Sequence, residues 1–339
     1  MSKVDGTIAD LAEVLAQHHL VGSWARANAP TARRGRTAAY WSWDGIRNAL
    51  IRSGQTVNIG SKGQTGMRSV TGVEARQFPV YMNAQILMPA ERTEAHRNLR
   101  SETRLVVEAV PGAFFVCESE AYPMERGDIV ISPPWTFHEH YNGGPEPVIF
   151  VDGYDNGYNP NVNVNEKLPG GELYQCIKKP EGYTRKTLGY VRTFAGETPF
   201  PLPPMRYAWS ETQAALATLR EAGVVPDPYD GLCVMFASPV DGGPTLPTIA
   251  WQVQLLEPRQ KTRDHRHNST TFYHVFEGNG LTVIEGEPLE WHKGDIFGVP
   301  PWTWHHHESN VNTDTILFSV DDWPAMKKLG FYMAEETAR

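Results

Sequence analysis

His96-Arg97-Asn98, Gly127-Asp128-Ile129 and Pro133-Pro134-Trp135-Thr136-Phe137-His138-Glu139-His140 recur downstream as His265-Arg266-His267, Gly294-Asp295-Ile296 and Pro300-Pro301-Trp302-Thr303-Trp304-His305-His306-His307. The copies lie 169 residues apart at the first landmark and 167 at the other two. A nearly constant offset over three landmarks marks an internal duplication, so the chain reads as two similar domains. Eight of its 12 histidines fall inside these segments. The fold and the chemistry are therefore to be sought in the same place.

Around each landmark the local signals are strands. In the first copy they are 80–87, 104–107, 113–117, 129–132 and 148–151; in the second they are 248–256, 272–276, 281–285, 296–299 and 315–320. Each is short, rich in β-branched or aromatic residues and bounded by Pro or Gly. Short strands separated by turns argue for an all-β dominated chain of two antiparallel barrels or sandwiches. Helices are peripheral. Ile8, Leu11 and Leu15 share one helical face, Ser210 and Gln213 form a capping box that opens a helix closed by Gly223, and a third helix follows Ala325. The stretch 153–204, rich in Asn, Gly and Pro, crosses between the barrels. The domains expected are 1–155 (helix and first barrel), 156–225 (linker and helix) and 226–339 (second barrel).

Composition narrows the function. With 40% hydrophobic and 21% charged residues over 339 positions, the chain buries a proper core and is not intrinsically disordered. A formal charge of −8, without a basic stripe or a helix-turn-helix, argues against a nucleic-acid partner. No apolar run reaches the roughly 20 residues a membrane span needs, and the start lacks a signal-peptide core. The three cysteines, Cys117, Cys176 and Cys233, form neither a disulfide framework nor a metal motif and read as buried, inert thiols. A soluble, cytoplasmic protein is the expectation.

Alternate residues of a strand share a face, so His265 and His267 project together and His305 reaches them from a later strand. Three neutral imidazoles suit Fe, Mn, Ni, Cu or Zn and leave coordination positions open. The first copy differs. His96, Asn98, Glu102 and Arg104 share parity, and His138 and His140 come from the later strand. Asn98 is a poor ligand for a transition metal and Glu102 a good one. His96, Glu102 and His138 thus make the two-His-one-carboxylate set of non-haem Fe(II) oxygenases, with Arg104 one step along to pair with a substrate carboxylate. The plainer alternatives are that Glu102 and Arg104 form only an ion pair, that Trp135 and Trp302 only pack, and that His18, His19, His274 and His292 are core or surface residues.

On Ala95-His96-Arg97, the Pro-Pro-Trp-Thr-Phe-His138-Glu139-His140 segment with Asp152-Gly153 beyond it, and the closing Leu317-Phe318-Ser319-Val320-Asp321-Asp322, the chain resembles a bicupin of the gentisate 1,2-dioxygenase family. That family includes ring-cleaving enzymes for gentisate, salicylate, 5-nitrosalicylate and 1-hydroxy-2-naphthoate. The resemblance implies two cupin (double-stranded β-helix, jelly-roll) barrels with peripheral helices. It implies Fe(II), with Mn(II) as the alternative, O2 as co-substrate, a small aromatic hydroxy acid as partner, and a homotetramer. Carried over, His96 and His138 match iron ligands, and Arg104 and Gln85 match groups that hold the substrate carboxylate and its neighbouring oxygen. His140 and Asp152 match groups that manage protons, and Tyr81 lies where relatives carry an aromatic residue, usually Trp. Asn98 departs from the family by standing where the second His ligand is expected. His265, His267 and His305 are accordingly a second or a rival metal site, although Tyr273 stands where the first copy has Arg104.

The expected reaction opens the ring of a 2-hydroxybenzoate between the carboxylate-bearing and hydroxyl-bearing carbons. The competing readings are a non-catalytic metal-binding cupin, such as a small-acid-binding regulator, and another cupin enzyme, a β-diketone-cleaving dioxygenase or an isomerase.

Overall fold

A computed structural model describes residues 38–56, 59, 67–71, 78–155, 158, 164–188, 205–310 and 312–337. The helix expected around Ile8, Leu11 and Leu15, the residues His18 and His19, and part of the 153–204 crossing lie outside them. Within Ala38–Arg339 the chain is one compact unit.

Among the described residues each copy builds a six-stranded and a five-stranded sheet. In the first barrel the larger sheet runs β12 (Met205–Tyr207), β8 (Ile129–Ser132), β5 (Glu102–Glu108), β10 (Val148–Tyr154), β3 (Tyr81–Leu87) and β2 (Arg68–Val70). Its smaller sheet runs β11 (Asn165–Lys167), β4 (His96–Asn98), β9 (His138–Asn142), β6 (Ala113–Cys117) and β7 (Glu120–Pro123). The second barrel repeats this order. Its larger sheet is β1 (Ala39–Trp41), β19 (Ile296–Val299), β16 (Thr271–Glu277), β21 (Thr315–Asp321), β14 (Ala250–Leu256) and β13 (Leu232–Met235). Its smaller sheet is β18 (Glu287–His292), β17 (Asn279–Ile284), β20 (His305–Ser309), β15 (His265–His267) and β22 (Ala334–Glu336).

The larger sheets are apolar on both faces, for different reasons. Met82, Ala84 and Ile86 of β3, Leu105 and Val107 of β5, and Ile149 and Val151 of β10 join Trp251, Val253, Phe272 and Phe318 in one core shared by the two barrels. The opposite parity of the same strands, with Leu87, Val106, Val148 and Phe150, closes the first barrel against Phe115 and Tyr122. Strands buried on both sides read as continuous apolar runs, which is why their existence was plain from sequence. Gln85, Glu102, Arg104 and Asp152 lie on the barrel-facing parity and are buried. The pleat sorts core from site.

The edges depart from simple duplication. β1 pairs with β19 of the second barrel, Tyr40 opposite Phe297, and β12 pairs with β8 of the first, Arg206 opposite Val130. The helix after each strand follows it across. Helix α1 (Trp43–Thr56) starts where Asp295 Oδ1 accepts the Trp43 amide at 2.8 Å, and α3 (Trp209–Glu221) starts where Asp128 Oδ1 accepts the Trp209 amide at 2.8 Å. The Ser210–Gln213 capping box is therefore not used. The helix begins at Trp209, one residue before Ser210, and its N-cap residue Ala208 has no side-chain cap of its own, because a buried carboxylate of the other copy's Gly-Asp turn takes that role. Gly127 and Gly294 are required there: both have positive φ, and a Cβ would lie 2.5 Å from Trp209 and 2.4 Å from Trp43. The short α2 (Tyr183–Leu188) lies within the crossing, and α4 (Trp323–Lys328) starts two residues before Ala325.

The cysteines do not share one environment: Cys117 is buried, Cys233 half-buried and Cys176 exposed, so the expectation of a buried thiol fails for Cys176.

Candidate metal centre

The Pro-Pro-Trp segment acts through its backbone. Trp135 and Trp302 adopt φ of 63° and 60°, a left-handed bend costing about 1 kcal/mol for a residue with a Cβ. Their amides donate to the carbonyls of Asn98 and His267, both at 2.6 Å. The bend thus fastens the start of β9 to β4, and of β20 to β15. His96 comes opposite His138, and His265 opposite His305, in direct register. The indole rings lie under guanidinium groups, Arg97 at 4.3 Å from Trp135 and Arg266 at 4.5 Å from Trp302.

In the first barrel His96, Glu102 and His138 each bring a ligand atom within 4.8 Å of the others. His96 and His138 donate from Nδ1 to the carbonyls of Glu94 and Thr136, both at 3.0 Å. That hydrogen bond fixes the tautomer and leaves Nε2 with its lone pair toward the cluster. His138 Nε2 is buried with no hydrogen-bond donor to satisfy it and lies 3.2 Å from Glu102 Oε2. Burial by itself would raise the Glu102 carboxyl, but Arg104 and His138 outweigh it and hold it well below the usual range. An ionised carboxylate and two imidazoles whose Nδ1 atoms are tied back to backbone carbonyls fit a divalent transition ion.

Asn98 is not a ligand in this arrangement. Its amide donates to Glu102 Oε1 at 2.8 Å while its Oδ1 accepts the Arg100 amide at 3.0 Å. The residue in place of the second histidine therefore orients the carboxylate. Arg104 is ion-paired with Glu102, donates to Ser132 Oγ at 3.2 Å, and lies 3.1 Å from Asp152 Oδ1, its cross-strand partner. The ion pair considered from the sequence exists, and it is buried. Glu102 and Ser132 each take one N–H from a terminal nitrogen of Arg104, so each of those nitrogens keeps a second. Burial, with Glu102 nearby and only partly offset by Arg104, pushes Asp152 well above the usual carboxyl range.

His140 follows His138 on the same face, between the rings of Phe115 (5.4 Å) and Phe150 (5.2 Å). Burial, then Arg104 and His138, push it well below its ordinary value, so it is neutral. Gln85 donates to Tyr154 Oη at 2.9 Å, and Tyr81 lies 6.0 Å from the Tyr154 ring. Tyr154 was missed from the sequence. Its signal was parity, two residues beyond Asp152 on β10.

In the second barrel His265, His267 and His305 come together in the same way. Of the histidines expected to be core or surface residues, His274 is buried edge-on to Trp43, and the His292 side chain is 69% exposed.

The two jelly-roll barrels with inward histidines define a bicupin, and a cupin-domain family model matches residues 84–154 and 252–321. The chain is 32% identical over 309 residues to a 5-aminosalicylate 1,2-dioxygenase of Comamonas sp, covering 88% of this chain and 81% of that one. It is 30% identical over 324 residues to a gentisate 1,2-dioxygenase of Haloferax sp, covering 89% and 88%. Salicylate 1,2-dioxygenase from Pseudoaminobacter salicylatoxidans, solved with gentisate, superposes with a TM-score of 0.84 at 24% identity, covering 100% of this chain and 96% of that one. The chain belongs to the gentisate 1,2-dioxygenase family of aromatic ring-cleaving 1,2-dioxygenases. Among the described residues no helix is long and apolar enough to cross a membrane.

Proposed function

We propose that the chain opens the ring of a 2-hydroxybenzoate with O2, between the carbons bearing the carboxylate and the hydroxyl, at the first barrel. The substrate is gentisate, salicylate or a substituted salicylate. The observation that carries this is the His96–Glu102–His138 cluster, placed beside Arg104 in a member of this family. Fe(II), with Mn(II) as the alternative, is held by those three side chains, and when bound it supplies the redox chemistry that couples O2 to a chelating aromatic acid. Arg104 offers the second N–H of each terminal nitrogen to the substrate carboxylate. Gln85, with its amide engaged on Tyr154, and Tyr81 orient the neighbouring oxygen and the ring. His140, neutral and sheltered between two phenylalanines, accepts the phenol proton, and Asp152 holds a second proton at the Arg104 end of the site. Asn98 orients Glu102. The working form is a cytoplasmic homotetramer.

The test is anaerobic Fe(II) loading, followed by ultraviolet spectra and oxygen uptake with gentisate, salicylate and 5-nitrosalicylate under air. Loss of the aromatic band in step with oxygen uptake is expected. Tight binding of the acid without uptake favours a small-acid-binding regulator instead, and uptake without aromatic loss excludes ring cleavage. His138→Ala is expected to abolish turnover while His305→Ala retains it. The reverse result moves the reaction to the second barrel.

A further inference from the structure

The aromatic residues of the two Pro-Pro-Trp segments belong to a construction that is made twice. Arg97 stands between His96 and Asn98 on β4, on the opposite parity, with its guanidinium 4.3 Å from the ring of Trp135 and 4.6 Å from that of Phe137. Its Nε and Nη2 both donate to Glu166 Oε2, at 2.9 and 2.7 Å. Arg266 stands in the same way between His265 and His267 on β15. It lies 4.5 Å from Trp302 and 4.7 Å from Trp304, and its Nε donates to Glu335 Oε2 at 2.8 Å. Glu166 and Glu335 are the middle residues of β11 and β22, three-residue strands in which every residue is exposed. In each copy one ring-stacked arginine fastens one added edge strand.

β11 pairs with β4 at three successive positions, Asn165 with Asn98, Glu166 with Arg97 and Lys167 with His96. Lys167 adds an ion pair with Glu94, and the Leu173 carbonyl accepts the Ala95 amide at 2.8 Å. Toward the barrel the register of β4 with β9 is one residue pair, His96 with His138. The Trp135 amide on the Asn98 carbonyl and the Thr93 amide on the His140 carbonyl secure only the two ends. β15 repeats the pattern, with one pair to β20 and three to β22. A strand paired at three positions along one edge and at one along the other takes its tilt from the first edge. His96 rides on that strand, whereas Glu102 and His138 belong to β5 and β9. The seating of β11 therefore decides how the His96 ring meets the other two, and a ligand set tolerates only about 0.5 Å of misplacement.

We infer that Glu166 is a positioning residue: its ion pair with the ring-stacked Arg97 latches β11 onto β4 and so sets the place of His96 in the first-barrel cluster. The inference rests on the reading of His96, Glu102 and His138 as metal ligands. Arginine suits the task because its flat guanidinium can lie on two rings while its edge keeps two N–H groups for a carboxylate, and lysine does not do both. The coupling is reciprocal. An edge strand that raises the affinity for an ion is itself held more tightly once the ion is bound. The plainer role for a charged, exposed edge strand is to block pairing between molecules, and that role leaves metal affinity untouched.

The experiment uses full-length His305→Ala as the parent, so that Co(II) titrates the first barrel alone and its visible bands report the ligands there; His267→Gln serves if that parent does not fold. Adding Glu166→Gln is expected to weaken Co(II) binding about 10-fold, the lower end of what groups behind a ligand contribute. The metal-free melting temperature is expected to stay within about 2 °C of the parent, as for an exposed ion pair. Arg97→Gln is expected to lose the same factor and the double variant no more than either, because two halves of one latch fail together. Amide exchange over 164–173 is expected to slow when Co(II) binds the parent and to slow less in Glu166→Gln. Glu335→Gln, the equivalent change on the second barrel, is expected to leave first-barrel affinity unchanged. Co(II) affinity in Glu166→Gln equal to the parent's, losses that add in the double variant, or an equal loss in Glu335→Gln each overturn the latch and leave β11 as a guard on the sheet edge. A parent that takes up no Co(II) overturns the ligand reading and the latch together.

Discussion

Position 98 carries the sharpest difference between the two copies. Asn98 is 1% exposed, donates to one oxygen of Glu102 and leaves the other facing His138 and Arg104. Removing that donor strands a buried, charged acceptor, which costs about 1–3 kcal/mol. Replacing a group that orients a ligand typically weakens a metal by about 10–100-fold. Asn98→Ala is therefore expected to lose stability in urea unfolding and to bind Fe(II) in the first barrel about 10–100-fold more weakly, while the second barrel titrates unchanged. Unaltered first-barrel affinity would show that Glu102 needs no orienting amide. Strand parity made Glu102, Arg104, His138 and His140 legible from sequence, because a two-residue period survives any uncertainty about where a strand ends. What parity could not show is which donor faces which acceptor. Asn98 was recognisable as a poor ligand, but its partnership with Glu102 crosses the turn between β4 and β5 and depends on side-chain torsions.

Among the elements, helix ends and strand edges were hard to read and central strands were easy. β3, β5, β10 and their counterparts carry apolar residues on both faces, whereas β1 and β12 are three residues long and become strands only by pairing with the other copy. The junction of β21 and α4 is legible as Asp321-Asp322, and the structure adds its electrostatics. Asp322 accepts the Thr270 amide and the Tyr158 hydroxyl, both at 2.7 Å. Burial, then the neighbouring Asp321, pushes its pKa up from 3.8 to about 6. A carboxyl whose folded pKa is raised binds protons more tightly folded than unfolded between those values. Its contribution to stability is full below about pH 4 and is lost as pH rises through about 6, by up to about 3 kcal/mol. The buried imidazoles of His274 and His307, both lowered to about 3 by burial, act in the opposite sense over an overlapping range. The informative quantity is consequently a difference. The stability of wild type minus that of Asp322→Asn, from urea unfolding at matched pH, is expected to fall between pH 4 and pH 6.5. A difference that is flat or rises over that interval would remove Asp322 from the account.

At the scale of the molecule, sequence duplication suggests two domains, yet each barrel is finished by the other half of the chain. The first receives β12 and α3 from beyond the crossing, and the second receives β1 and α1 from before it. The cores are also fused. Trp251 of the second barrel is fully buried and donates from Nε1 to Thr103 Oγ1 of the first at 2.7 Å, while its ring closes over Gly153. Trp209 packs on Phe276 at 4.9 Å and on Phe318 at 5.6 Å, so α3 bridges its cap on the first barrel and the core of the second. Cooperativity follows how apolar surface is shared, and a core divided between two barrels leaves neither one able to melt and keep its own. Full-length protein is expected to unfold in a single calorimetric transition, with van't Hoff and calorimetric enthalpies equal. Fragments 38–204 and 205–339 are each expected to remain unfolded or aggregate alone and to recover folded circular dichroism only when expressed together. Trp251→Ala, which opens the shared core and leaves Thr103 without that donor, is expected to cost about 3–5 kcal/mol and to lower the one transition as a whole. If the variant instead split the transition in two, or if fragment 205–339 melted cooperatively by itself, the barrels would be independent domains and the exchanged strands mere decoration on their edges.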